Sequence, residues 1–242
     1  MHHNFLFDLD QTLLDFHASE RKALEIVLTD CGLNYTDGCY EHFKEYNKLL
    51  WLELEKGNIS RTELFTKRFS DIIEYCRGDL TNIDVLQLNN DFILTMSRNG
   101  VLMDGALEFM RRITSDIPDA RCYIISNGAT VNAEGRIKTT GLDKYLTKIY
   151  VSEWMGVNKP SSDFFDIVLD GVAEPKDACI VIGDSLTSDM LGARNAGLTS
   201  VWFMPSGDIP SACLKYDINY CASSFNELYD VLLKWAHKGK CN

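Results

Sequence analysis

No apolar run in this 242-residue sequence approaches the roughly 20 residues that a membrane-spanning helix needs. The short apolar stretch near the N-terminus, Phe5-Leu6-Phe7, is interrupted by Asp8 and Asp10, so the segment does not read as a signal peptide. The eight cysteines are scattered, with no Cys-x-x-Cys pair and no Cys/His cluster at zinc spacing. That pattern reads as reduced structural thiols in a cytoplasmic protein, with Cys122 and Cys179 acting as small apolar residues inside strands. Positive charge is scarce too: 24 Lys and Arg stand against 35 Asp and Glu, a formal net charge of −11. This balance argues against a nucleic-acid polymer or an anionic membrane as the main partner, and leaves room for a small anionic substrate in a locally positive pocket. Internal repeats and low-complexity segments are absent as well. His2 and His3 receive no role.

What is present is an ordinary globular composition, 45% hydrophobic and 24% charged, with ample length to bury a core. Periodicity divides the chain in three. Residues 4–12 read as a strand and loop. From about 16 to 99 the pattern is helical, with four amphipathic segments and a capping box at Ser60-Arg61-Thr62-Glu63 opening the third. Beyond residue 100, strands at 122–125, 149–151, 178–182 and 200–203 alternate with helices, the last helix running from Phe225 to Trp235. Alternation of this kind specifies an α/β fold with a mostly parallel sheet. The simplest topology is a core of residues 1–15 and 100–242, with a four-helix domain of residues 16–99 inserted after the first strand.

Two stretches carry the chemistry. Phe7-Asp8-Leu9-Asp10-Gln11-Thr12 follows the first strand, and Gly183-Asp184-Ser185-Leu186-Thr187-Ser188-Asp189 follows the apolar run Cys179–Ile182. In open α/β sheets ligands bind beyond the carboxyl ends of the strands. A fold that sets these two strands side by side gathers Asp8, Asp10, Asp184 and Asp189 in one crevice. Clustered carboxylates repel one another unless a cation sits among them, and an all-oxygen set favours Mg²⁺ or a similar hard ion. Two further elements follow strands: Ser126-Asn127-Gly128, and Lys159-Pro160. Each motif alone also admits a structural reading. Asp8 and Asp10 could cap a loop, Ser-Asn-Gly is turn chemistry, a lone lysine is usually solvated, and Asp189 suits a helix N-terminus.

Asp-x-Asp-x-Thr, Ser-Asn-Gly, Lys-Pro and Gly-Asp-x-x-x-x-Asp in this order, each after a strand, resemble the haloacid dehalogenase (HAD) superfamily over the whole chain. The resemblance implies a Rossmann-like parallel-sheet core, with the helical insert as a type-I cap that closes over the leaving group. It implies that Asp8 is the nucleophile of a Mg²⁺-dependent phosphomonoesterase working through an aspartyl-phosphate. Asp10 would be the acid and base that serves the leaving group and the water. Asp8, the main-chain carbonyl of Asp10, and Asp184 would hold the metal, with Asp189 as a further ligand or as an orienting group. Thr12, Ser126, Asn127, Gly128 and Lys159 would hold the phosphate, Lys159 also serving catalysis by offsetting clustered negative charge.

Asp10 separates this chain from the dehalogenases of the superfamily, which lack that second aspartate. Gly183-Asp184, where β-phosphoglucomutases usually carry an acidic pair, leans toward a phosphatase. Asn47–Trp51 with Gly57–Ser60, Val151–Pro160 and Gly183–Gly192 look like bacterial 5′-nucleotidases that act on pyrimidine nucleoside monophosphates. The expected partner is thus a small phosphorylated metabolite, a nucleoside 5′-monophosphate first, handled by a monomer or homodimer. Alternatives are a sugar-phosphate or phosphoglycolate phosphatase, a phosphomutase, or a non-catalytic binding protein on the same scaffold. Of Trp51, Phe65 and Phe69 in the insert, most are expected to pack between helices, with at most one or two facing a base. Gln11 departs from the resemblance, because glycine or glutamate is commoner there.

Overall fold

The computed structural model describes residues 2–78, 83–205 and 218–238. The chain divides into two compact units, one of Met1–Phe16 with Gly100–Asn242 and one of His17–Asn99. In chain order the elements are β1 (His3–Phe7), α1 (Phe16–Asp30), α2 (Asp37–Glu55), α3 (Arg61–Tyr75), α4 (Val85–Arg98), α5 (Ala106–Asp116), β2 (Ala120–Ser126), α6 (Thr130–Thr140), β3 (Lys148–Val151), α7 (Ser152–Met155), α8 (Ser162–Val172), β4 (Cys179–Gly183), α9 (Leu191–Ala196), β5 (Thr199–Phe203), β6 (Tyr220–Ala222) and α10 (Phe225–Lys238). A π-helical turn, Leu186–Met190, leads into α9.

The first unit is a six-stranded sheet in the order β3-β2-β1-β4-β5-β6. Every pairing in it is parallel. Parallel strands need both faces covered, which is why these segments are nearly continuous apolar runs. Alternate residues of β1 feed two cores. Phe5 and Phe7 join Ile124, Ile180, Ile182, Val201 and Phe203 under α5, α6 and α10. Leu6 joins Ile125, Val181 and Trp202 under α8 and α9. The chain builds outward from β1 through β2 to β3, then returns to β1's other side with β4. That reversal between β1 and β4 is the kind of switch point beyond whose strand ends ligands bind in open α/β sheets. The short edge strand β6 was not foreseen.

The second unit is the bundle α1–α4. Its buried residues include Leu24, Phe43, Leu64, Phe69, Ile72, Leu88, Phe92 and Met96. The Ser60–Glu63 capping box forms as expected: the Glu63 amide donates to Ser60 Oγ at 3.2 Å, and the Ser60 amide to Glu63 Oε2 at 2.8 Å. Asp84 caps α4 through the amides of Leu86 and Gln87, both at 3.0 Å. Phe69 is fully buried between Phe43 and Phe92, a packing role.

Inside this unit lies a polar network that no motif announced. Arg68 is buried and donates from Nε to Asn89 Oδ1 at 3.0 Å. Asn47 Nδ2 donates to Glu20 Oε1 at 3.2 Å, and the Tyr40 hydroxyl to Glu20 Oε2 at 3.1 Å. Rings of Phe43, Phe65, Phe69 and Phe92 surround the Arg68 guanidinium. A buried charge needs hydrogen bonds and a counter-charge: Arg68 bonds Asn89 and Asn47, and Asn47 links it to the Glu20 carboxylate.

Cys31, Cys39, Cys76, Cys122 and Cys179 are free thiols, and Cys122 and Cys179 are buried in β2 and β4. Cys221 in β6 is disulfide-bonded, which corrects the expectation of reduced thiols throughout. No sequence spacing marked it. Cys213 and Cys241 lie outside the described residues. Among the described residues no helix is long and apolar enough to cross a membrane.

Candidate active site

Asp8 is the first residue after β1. Its amide donates to the Ile182 carbonyl at 2.7 Å, so the β1–β4 ladder runs on into the loop. Asp184 follows Gly183, the last residue of β4. Adjacent strands therefore deliver both aspartates to one end of the sheet. Asp189 arrives from the π-helical turn, whose start is fixed by Ser185 Oγ accepting from the Ser188 amide at 3.2 Å. One carboxylate oxygen from each of Asp8, Asp184 and Asp189 lies within 4.8 Å of the others. Gly183 is required for space, since a Cβ there would overlap the Asp189 carboxylate.

Lys159 is the counter-charge. It is 3% exposed, and its Nζ donates to Asp8 Oδ1, Asp189 Oδ1 and the Ile125 carbonyl, each at 2.7 Å. All three ammonium protons are thereby used, and the reading of Lys159 as a solvated lysine is ruled out. Burial works against its charge, but Asp189 and Asp8 more than offset this and hold its proton more tightly than usual. Burial pushes the Asp8 carboxyl well above the usual carboxylate range, with Lys159 opposing and Asp189, Asp184 and Asp10 adding. Asp184 is pushed up to about 7 by burial and by Asp189, against the pull of Lys159. Asp189 has both oxygens engaged, the second accepting from the Ser185 amide at 3.1 Å, so it also orients Lys159.

The Ser-Asn-Gly segment follows from the end of β2. Asn127 uses its side-chain amide as a two-bond clamp on the Lys159 backbone, Nδ2 to the Lys159 carbonyl at 2.9 Å and the Lys159 amide to Oδ1 at 2.8 Å. The Gly128 amide donates to Ser126 Oγ at 3.2 Å, and Ser126 is buried. The Thr12 hydroxyl is buried without a hydrogen-bond partner among the described residues. Gln11 has φ +59°, in the left-handed region that glycine adopts without cost.

Asp10 stands apart from the other three aspartates. Its carboxylate is not in the triad and pairs instead with the Arg136 guanidinium, Nη1 to Oδ1 at 2.5 Å and Nη2 to Oδ2 at 3.2 Å. This pairing concerns the Asp10 side chain alone; the group expected to face the metal is its main-chain carbonyl. Two residues went unnoticed in the sequence. Trp202 Nε1 donates to the Asp184 carbonyl at 2.7 Å and fixes that loop. Arg136 lies on the buried stripe of α6 with Ala133 and Ile137. A charge on an apolar stripe was its one available signal, since such a group needs a buried partner.

The donor set matches a hard cation: three clustered carboxylates, of which burial and mutual repulsion raise Asp8 and Asp184 while nothing softer than oxygen is present. The chain is similar to known proteins over most of its length. The chain is 33% identical over 201 residues to the pyrimidine 5′-nucleotidase PynA of Streptococcus pneumoniae, covering 83% of each protein. It is 29% identical over 235 residues to the pyrimidine 5′-nucleotidase YjjG of Escherichia coli, covering 94% of this chain and 96% of that one. The magnesium-bound structure of the HAD-hydrolase YfnB from Bacillus subtilis superposes with a TM-score of 0.82 at 28% identity, over 96% of this chain and 98% of that one. The sequence profile of the haloacid dehalogenase-like hydrolases matches residues 3–197, from β1 through the Asp184–Asp189 loop and α9. With that match spanning most of its length, the chain belongs to the haloacid dehalogenase-like hydrolases.

Proposed function

We propose that this hydrolase is a phosphomonoesterase acting on pyrimidine nucleoside 5′-monophosphates. The observation that carries the chemistry is the buried Asp8 carboxylate, held through Oδ1 by Lys159 at 2.7 Å. The substrate class rests on likeness to PynA and YjjG over most of the chain.

Phosphate esters resist attack because the nucleophile approaches a group that is already negative, so positioning and charge neutralisation do most of the work. In this reading an Asp8 oxygen forms a bond to phosphorus as the bond from phosphorus to the leaving oxygen breaks, giving an aspartyl-phosphate. Asp10 gives its proton to the departing alkoxide. It then takes a proton from the water that attacks phosphorus and returns Asp8. Lys159 supplies fixed positive charge beside the nucleophile. Ser126 Oγ accepts from Gly128, which leaves its own O–H free to donate to a phosphoryl oxygen. The Thr12 hydroxyl is a further unused donor in the first loop. Asp8 and Asp184, with Asp189, would hold Mg²⁺, which when bound supplies positive charge to the phosphate and the carboxylates.

The test is phosphate release from a panel of nucleoside monophosphates and sugar phosphates, with Mg²⁺ or a chelator, for the native chain and for Asp8→Asn. Cation-dependent release that is greatest for pyrimidine nucleotides and lost in Asp8→Asn is expected. Equal rates in both proteins overturn Asp8 as nucleophile, and a sugar phosphate as best substrate overturns the nucleotidase reading.

A further inference from the structure

Arg136 and Asp10 form a two-pronged ion pair of unequal burial. Arg136 is 1% exposed and spends both terminal nitrogens on the two oxygens of one carboxylate. The face of Phe16 lies 5.5 Å from the guanidinium carbon, and the Nε–H has no hydrogen-bond partner among the described residues. Asp10, by contrast, keeps 29% of its side chain exposed. The pair thus joins a buried guanidinium, whose two terminal nitrogens both bond Asp10, to a carboxylate that still faces solvent. A buried guanidinium cannot be left unpaired without a large cost, so Arg136 stays on Asp10 and fixes where its carboxylate points. The clamp also accounts for Asp10 lying outside the Asp8–Asp184–Asp189 cluster although it is only two residues from Asp8.

We infer that Arg136 is the positioning residue for Asp10, holding its carboxylate toward the leaving oxygen and away from the cation cluster, an inference that rests on Asp10 acting as acid and base in the proposed reaction. Arg136 touches no reacting atom. It acts by restricting Asp10 to one orientation, and proton transfer in the transition state requires that orientation.

The experiment compares the full-length native chain with Arg136→Met, Arg136→Lys, Asp10→Asn and the Asp10→Asn/Arg136→Met double variant, on two substrates. A nucleoside monophosphate expels an alkoxide that needs a proton. p-Nitrophenyl phosphate expels a stabilised phenolate that does not. The first-turnover release of each leaving group is measured, so that later hydrolysis of the phosphoenzyme does not intrude. Arg136→Met is expected to slow nucleoside release about 100-fold, at the lower end of what a general acid contributes, with KM nearly unchanged. Nitrophenolate release should fall by no more than a few-fold. Arg136→Lys, which keeps the charge and loses the two-pronged fit, should recover part of the loss. The double variant should be no slower than Asp10→Asn alone, because positioning an absent carboxylate has no effect. It also leaves no charge unpaired, so it provides a folded protein even where Arg136→Met does not.

An equal loss on both substrates, or an additive double variant, overturns the inference and reduces Arg136 to a structural role. Asp10→Asn with full speed on the nucleotide overturns the proposed role of Asp10 instead. Slow Asp10→Asn beside an unaffected Arg136→Met overturns the inference alone.

Discussion

Lys159 Nζ and Asp8 Oδ1 form an ion pair of 2.7 Å in which the lysine side chain is 1% exposed and the aspartate 10%. The same nitrogen holds Asp189 at the same distance. One buried cation thus answers for two carboxylates. Removing it strands both. Lys159→Met should lower the stability of the metal-free protein by about 3–5 kcal/mol near neutral pH, the usual cost of breaking a buried pair. Denaturant unfolding measures this. The deficit should shrink in acid, because Asp8, raised by burial, takes up a proton more readily than an ordinary carboxyl. A stability unchanged at neutral pH would mean that water reaches these carboxylates.

Asn127 carries a different kind of constraint. Its two hydrogen bonds hold the backbone of Lys159 and none of its charge. Asn127→Ala removes both, at about 1 kcal/mol each in net terms. Turnover should fall roughly tenfold or more as the ammonium loses its anchor. The midpoint of thermal unfolding should shift only modestly, since Asn127 itself is exposed. Asn127→Asp keeps the acceptor for the Lys159 amide and loses the donor, so steady-state kinetics should place it between native and alanine.

The sequence made the strands and the four motifs legible for one physical reason. A parallel strand buried on both faces is a short apolar run, and at β1, β2, β3 and β4 that run hands over to polar residues. β1, β2, β3, β4 and β5 were all visible on that basis, whereas β6, three residues at the sheet edge, presents too little apolar surface to register. The convergence of Asp8 and Asp184 could be foreseen once the two strands were set side by side. The partners of those residues could not be. Arg136 is 126 residues from Asp10, and Trp202 is 18 from Asp184. Neither pairing leaves a local spacing. Asn127 was read through its backbone amide, as a phosphate donor, because turn chemistry says nothing about where an amide side chain will find a peptide group to clamp. In the helical unit the apolar stripes were plain, but the Arg68–Glu20 network depends on four helices coming together.

Gly183→Ala offers a sharp test of the loop geometry. The added methyl would overlap the carboxylate of Asp189, which is itself tied to Lys159 and to the Ser185 amide. Relief requires moving either β4 or the π-helical turn, and overpacking of this kind costs about 1–3 kcal/mol. Cation affinity and turnover should therefore fall together in this variant. Gly156→Ala is the contrasting case. Nothing lies within 4 Å of its added Cβ, and φ is +74°. It should lose about 1–2 kcal/mol to backbone strain, with its turnover at permissive temperature intact. A calorimetric magnesium titration and an unfolding curve for each variant separate the two effects.

Magnesium affinity should rise with pH across neutrality. Burial and Asp189 raise the Asp184 carboxyl to about 7, against Lys159, and burial raises Asp8 well above the usual range. A raised acid keeps its proton in the folded, metal-free protein up to that pKa, so an entering cation must displace it. Below about 7 the proton competes and affinity falls. Above it Asp184 is already bare and its contribution levels off. For one displaced proton the affinity should increase about tenfold between about pH 6 and about pH 8, with Asp8 steepening the dependence. Titration calorimetry in buffers of different ionisation enthalpy reads both quantities, the affinity and the protons released. Release should be large at the acid end and decline toward the alkaline end. A pH-independent affinity with no proton release would mean that the cation is held somewhere other than by Asp8, Asp184 and Asp189.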